Sequence, residues 1–157
     1  MIESLNKLEQ KINIKFKDRD LLAKCLTHKS SNNVENNEKL EFLGDRVLGL
    51  VFAKTLLKIY PNEKEGIIDK KFANLVNKKT CLLVAKKLEL KKFIITGGSY
   101  KGLSRSDDKI ISDGLEALLG AIFLDQGMVI VEKFILKSWD EFLEKSAVTM
   151  IDSKTLL

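Results

Sequence analysis

Five carboxylates stand at spacings that could hold a divalent cation. Glu38, Glu41 and Asp45 form one group, and Asp113 and Glu116 a second. On a helix turning about 100° per residue, with Glu38 at zero, Glu41 falls near about −60° and Asp45 near about −20°. The three acids therefore share a narrow stripe. Asp113 and Glu116, spaced i, i+3, share a face in the same way. Packing like charges together is unfavourable unless something neutralises them. A site built only from carboxylate oxygens suits a hard cation, Mg2+ or Mn2+. The chain's one histidine, His28, gives little support to zinc or to a Glu-x-x-His di-iron site. His28 itself reads as a structural hydrogen-bonding residue.

Either acidic group alone reads more readily as a solvated helix face, because acidic i, i+3 pairs are common. What strengthens the metal reading is that each group has an apolar back. Leu40, Leu43, Val47, Leu50 and Val51 lie opposite the first group, and Ile111, Leu115, Leu118, Leu119 and Ile122 opposite the second. If those backs pack together, the acidic ridges converge at one edge. Ala117 and Gly120 flank the second pair and are expected to leave room for a metal, a water or a phosphate.

The elements that must position these acids are helical. Apolar periodicity predicts helices over about 2–10, a segment capped by Asp18 and running to Leu26, 38–59, 67–78, 80–87, 108–125 and 128–145. Tyr60-Pro61 ends the long helix. Polar residues 30–37 and the glycine-bearing stretch 96–106 read as loops, 89–93 as a short segment, and Gly97-Gly98 as a turn. One proline and nine glycines in 157 residues favour helices over strands and turns. The expected fold class is all-α.

Charge and cysteine content bound the function. Lys and Arg number 27 against 22 Asp and Glu, a net +5. With five of those acids committed to a cation, the rest of the chain is more basic still, which is compatible with a polyanionic partner. Lys70, Lys71, Lys78, Lys79, Lys86, Lys87, Lys91 and Lys92 form a basic middle section that could track phosphates. Cys25 and Cys81, far apart in apolar surroundings, read as buried thiols in a reducing cytoplasm, without a disulfide framework or zinc site. No N-terminal apolar run resembles a signal peptide, and the longest apolar stretch, 115–124, is too short to span a bilayer.

The run Glu38-Lys39-Leu40-Glu41-Phe42-Leu43-Gly44-Asp45-Arg46-Val47-Leu48 resembles the signature of the ribonuclease III family. Supporting stretches stand in the family's order. They are Leu26-Thr27-His28-Lys29-Ser30, then Glu65-Gly66 with Leu75-Val76-Asn77, and finally the second acidic motif, Ile111-Ser112-Asp113-Gly114-Leu115-Glu116-Ala117-Leu118-Leu119-Gly120 and on to Asp125. The resemblance covers residues 1–145. The departures are Ser112, where the family usually has Ala, and Lys71-Phe72, where an Arg is frequent. Neither touches the five acids.

The resemblance implies a bacterial-type endonuclease domain, a helical bundle that forms a symmetric homodimer in the cytoplasm. It implies divalent-metal-dependent hydrolysis of double-stranded RNA, with Mg2+ and Mn2+ as a substitute, leaving 5′-phosphate and 3′-hydroxyl staggered ends in the processing of ribosomal and other RNA. Glu41, Asp113 and Glu116 would ligate the metal, Asp45 and Glu116 would be the essential catalytic pair, and Glu38 would support the site. Phe42, which falls at about 40° beside the acids and off the apolar arc, would enter a socket on the partner subunit. The nuclease domain would occupy 1–147, with 148–157 a linker and the opening of a double-stranded-RNA-binding domain cut short. Two other readings are a catalytically silent RNA-binding scaffold of the same fold and an all-α, Mg2+-dependent nucleotide pyrophosphohydrolase. The first should have lost active-site acids, and the second explains neither Phe42 nor the full eleven-residue match.

Overall fold

The computed structural model describes residues 2–31, 35–97 and 107–147. Its helices run in the order α1 (Ile2–Ile12), α2 (Arg19–Cys25), α3 (Glu38–Ile59), α4 (Glu65–Val76), α5 (Lys78–Lys87), α6 (Asp108–Gln126) and α7 (Met128–Ser138), with short 3-10 turns at Lys29–Ser31 and Leu90–Phe93. No strand occurs among the described residues. One isolated parallel bridge, Thr27 with Ile95, ties the segment after α2 to the segment before α6. The expected linker and RNA-binding residues 148–157, and Gly98 of the glycine pair, lie outside the described residues.

Local chemistry sets the helix ends. The Asp18 side chain accepts a hydrogen bond from the Leu21 amide, capping α2 as its position predicts. Asn77 does the same for α5, accepting from the Thr80 amide at 2.8 Å. Its extended backbone (φ −69, ψ 162) is also what stops α4 at Val76, short of the expected end. The expected continuous helix over 128–145 is interrupted at Trp139, which caps α7 before helical turns resume over 140–147. Trp139 is wholly buried. Its ring meets Phe52 edge-on at 6.0 Å, and its indole N–H donates to the Leu75 carbonyl at the end of α4. The break turns this large side chain into the core while satisfying its polar atom.

The centre of the molecule is α6. Every residue from Ile110 to Ile122 is buried, so α6 is enclosed on all sides, unlike the one-faced amphipathic helix that the sequence pattern predicts. Its principal neighbour is α3, with α2, α5 and α7 around it. The crossing with α3 is unusually close because both helices present glycine there. A Cβ placed on Gly44 would fall on the Glu116 carbonyl oxygen and lie 3.0 Å from the Gly120 nitrogen. One on Gly120 would fall on the Leu40 carbonyl oxygen and lie 3.1 Å from the Gly44 nitrogen. Gly120 therefore does not open space for a metal or phosphate, as its place on the acidic face implies; it lets two backbones touch. Ala117 is also buried and does not line the acidic cleft.

Two other expectations change. Leu50, placed on the apolar arc of α3, is 58% exposed. Lys71, counted with the basic surface, is buried at 1% exposure. Its ammonium donates to the Ser146 carbonyl and sits 4.2 Å from the Tyr60 ring centroid, so it anchors segment 140–147 and cannot track phosphate.

The α3–α6 contact has a consequence for stability. Gly44→Ala must force the two backbones apart and should destabilise the fold by on the order of 3 kcal/mol. Gly66→Ala in α4, where a Cβ would meet nothing within 4 Å, should change stability by less than about 1 kcal/mol. Urea unfolding of both variants checks this. Equal losses would contradict the close-packed crossing.

Candidate metal centre

The first turn of α3 is held from below by the end of α2. The Asn37 amide donates to the Thr27 carbonyl at 2.9 Å, and its buried side chain donates to the Cys25 carbonyl at 3.2 Å. Glu38 and Glu41 occupy that first turn, where the positive end of the helix dipole favours anions. Gly44, between Glu41 and Asp45, then brings α3 directly against the Glu116 carbonyl of α6. Carboxylate oxygens of Glu41, Asp113 and Glu116 all come within 4.8 Å of one another. Asp45 lies beside them in the same cleft, near enough to contribute to the raised Glu116 pKa. Glu38 stands on the wall of the same cleft, outside the close trio.

This cleft has a volume of about 720 Å³. Besides the five acids it is lined by His28, Lys29, Phe42, Arg46, Lys78 and Lys109, among others. The His28 ring takes no place in the acidic cluster. Its Nδ1 pairs with the Ser30 hydroxyl at 2.8 Å and accepts from the Ser30 amide, the hydrogen-bonding role its sequence position implies. Burial, then the neighbouring Lys29 charge, holds its pKa below the ordinary value.

Two lysines missed as site residues reach into the cluster. Lys78 donates to Asp113 Oδ1 at 2.9 Å and to Glu116 Oε1. Lys109 donates to Asp113 Oδ2 at 2.6 Å. Lys109 was legible as the i, i+4 partner of Asp113. Lys78 was not, because it comes from another helix and sits in a run of lysines.

The electrostatics separate the acids. Burial and then the neighbouring Asp45 raise the Glu116 carboxyl to about 7. Burial, then the nearby Asp113 charge, also raises Glu41. At Asp113 burial acts upward too, but the hydrogen bonds from Lys109 and Lys78 outweigh it and leave its pKa below the ordinary value. A crowded, partly dry group of carboxylates that resists full ionisation is what a doubly charged cation would relieve. The donor set is oxygen only and fits a hard divalent ion. The free cysteines are no part of it: both are buried, and burial pushes the Cys81 thiol up to about 12.

Comparison with known proteins bears on the fold and the family. A family model described as Ribonuclease-III-like matches residues 18–141. Ribonuclease 3 of Pelagibacter ubique is 55% identical over 151 residues, covering 96% of this chain and 68% of that protein. The chain belongs to the ribonuclease III family. Ribonuclease 3 of Methylococcus capsulatus is 41% identical, over 98% of this chain and 66% of its own length, so the chain spans about two thirds of these relatives. The crystal structure of the ribonuclease III nuclease domain from Campylobacter jejuni superimposes with a TM-score of 0.76 at 38% identity, over 87% of this chain and 93% of that one. The fold is thus the all-α ribonuclease III nuclease fold. The nucleotide pyrophosphohydrolase reading falls with this assignment.

The raised Glu116 sets a pH dependence. Its folded-state pKa of about 7 lies above the ordinary 4.5. Between those values the native protein holds more protons than the unfolded chain, so stability falls as pH rises through that window. Glu116→Gln removes this loss. In chelator, the variant's stability relative to the parent should improve by on the order of 2 kcal/mol from about pH 5 to about pH 8. Urea unfolding at the two pH values measures it, and a pH-independent difference would contradict the assignment.

Proposed function

We propose that this domain hydrolyses phosphodiester bonds of double-stranded RNA with Mg2+, or Mn2+ in its place, leaving 5′-phosphate and 3′-hydroxyl staggered ends. The observation that carries this reading is the convergence of Glu41, Asp113 and Glu116 within 4.8 Å in a cleft rimmed by cationic side chains. These three would hold the metal. A divalent ion held there would supply charge neutralisation for the phosphate and a more acidic water. Asp45, half exposed at the cleft beside Glu116, would form the catalytic pair with it. Glu38 supports the site from its wall. Lys29, Arg46 and Lys109 face the same cleft and supply charge for phosphate binding. Recognition would rest on A-form shape and 2′-hydroxyl contacts, since the RNA major groove is too deep and narrow to read. Two buried free thiols accord with action in the reducing cytoplasm, and among the described residues no helix is long and apolar enough to cross a membrane.

The catalytic unit would be a symmetric homodimer. Phe42 is 62% exposed at the cleft, with the Arg46 guanidinium 3.9 Å from its ring centroid. Leu50 and Leu57 continue an exposed apolar line along α3. The Campylobacter jejuni nuclease domain has a region involved in dimer formation. Pairing about a two-fold axis would present two sites to one duplex.

Two experiments test this reading. Glu116→Gln keeps the side chain's size and should lower duplex RNA cleavage in Mg2+ by at least about a thousandfold while the fold persists. Cleavage at the parent rate would remove Glu116 from the site. Phe42→Ala should weaken the dimer by roughly tenfold or more in sedimentation equilibrium, with monomer stability little changed. An unaltered dimer constant would contradict the interface.

A further inference from the structure

Building on the metal-binding reading of the carboxylate cluster, we propose that Lys78 is an internal counter-cation of this site, whose ammonium group competes with the divalent ion for Glu116 and Asp113. The lysine must leave those oxygens before the ion is held.

The position of Lys78 is not one that helix formation asks for. It is the first residue of α5, directly after the Asn77 cap, in a first turn that carries no acid. A cation there faces the positive end of the helix dipole, which opposes it. What offsets that placement is its contact with Asp113 Oδ1 at 2.9 Å and with Glu116 Oε1.

The partners differ sharply in exposure. Glu116 is 1% exposed and has little access to water. Its charge needs a partner supplied by the protein or by a bound cation. The Lys78 side chain is 56% exposed, so it has solvent to swing into and loses little on release. Lysine and a divalent ion cannot share the oxygens. Each N–H donor takes a lone pair that an ion would use, and the two positive charges repel at close range.

Lys109 is built differently. It reaches the other oxygen of Asp113 from one turn away on α6, at 2.6 Å. It can remain on the outer edge of Asp113 while the inner oxygens change partner. Lys109 touches Asp113 alone, so an ion on Glu116 and on Asp113 Oδ1 need not displace it, whereas Lys78 occupies both of those oxygens.

Calorimetric titration of Mn2+ into the parent, Lys78→Met, Lys78→Arg and Glu116→Gln tests this, together with thermal melting of each in chelator. Met keeps the length of the stem and removes the charge. Lys78→Met should bind Mn2+ roughly fivefold or more tightly than the parent. Its metal-free form should melt lower, and added Mn2+ should raise its Tm by more than it raises the parent's. Lys78→Arg should restore the parent's metal-free Tm and weaker affinity. Equal or weaker Mn2+ binding by Lys78→Met overturns the proposal, because Lys78 would then order the carboxylates for the ion. If Lys78→Met folds only with Mn2+, its folding midpoint in the ion serves instead, and a requirement above the parent's overturns the proposal. Parent binding that disappears in Glu116→Gln keeps the metal reading intact whatever Lys78 does. Binding that is absent from parent and Lys78→Met, or unaffected by Glu116→Gln, overturns both.

Discussion

Where α3 crosses α6, two backbones meet with no side chain between them. Gly44 faces the Glu116 carbonyl and Gly120 the Leu40 carbonyl, so each helix fits the space that a Cβ would fill on the other. This contact fixes the distance between the two acidic groups. Glu41 and Asp45 lie on either side of Gly44, and Asp113 and Glu116 precede Gly120 by less than two turns. With larger residues at the crossing the helix axes would move apart and the four carboxylates with them. The neighbouring elements serve the same geometry: α2, α5 and α7 enclose α6, and the Asn37 contacts fix the start of α3.

The close approach has an electrostatic consequence. It carries Asp113 and Glu116 into the interior, where ionised carboxylates are costly. The protein divides that cost in three ways. Glu116, raised by burial and then by the neighbouring Asp45, holds its proton up to about pH 7. Asp113 stays ionised between two lysines. Lys78 spans both buried acids. The same arrangement that strains the metal-free site favours a small, doubly charged ion in it.

Much of this was legible in the sequence. The spacing Glu38, Glu41, Asp45 and the pair Asp113, Glu116 gave the acids and their faces, and Tyr60-Pro61 gave the end of α3 where the structure has it. Periodicity reports a face but not what packs on it, which is why α6 read as one-faced although it is enclosed all round. Glycine on an acidic face reads as open space, and only the partner helix shows that Gly44 and Gly120 interlock. Lysines look alike in a chain. Lys71 turns inward because Tyr60 and the Ser146 carbonyl receive it, and Lys78 because buried carboxylates from α6 lie across from the start of α5. Those partners are 11, 75 and at least 35 residues away in sequence, beyond the reach of a local pattern.

The position of Mn2+ in a crystal of the parent protein, located by its anomalous scattering, would test this geometry outright. We expect one strong peak bounded by carboxylate oxygens of Glu41, Asp113 and Glu116, with the Lys78 ammonium turned away from Glu116 and the Gly44–Gly120 crossing unchanged. A peak held by other residues, or none in a cleft where Lys78 still bridges Asp113 and Glu116 at saturating Mn2+, would contradict it.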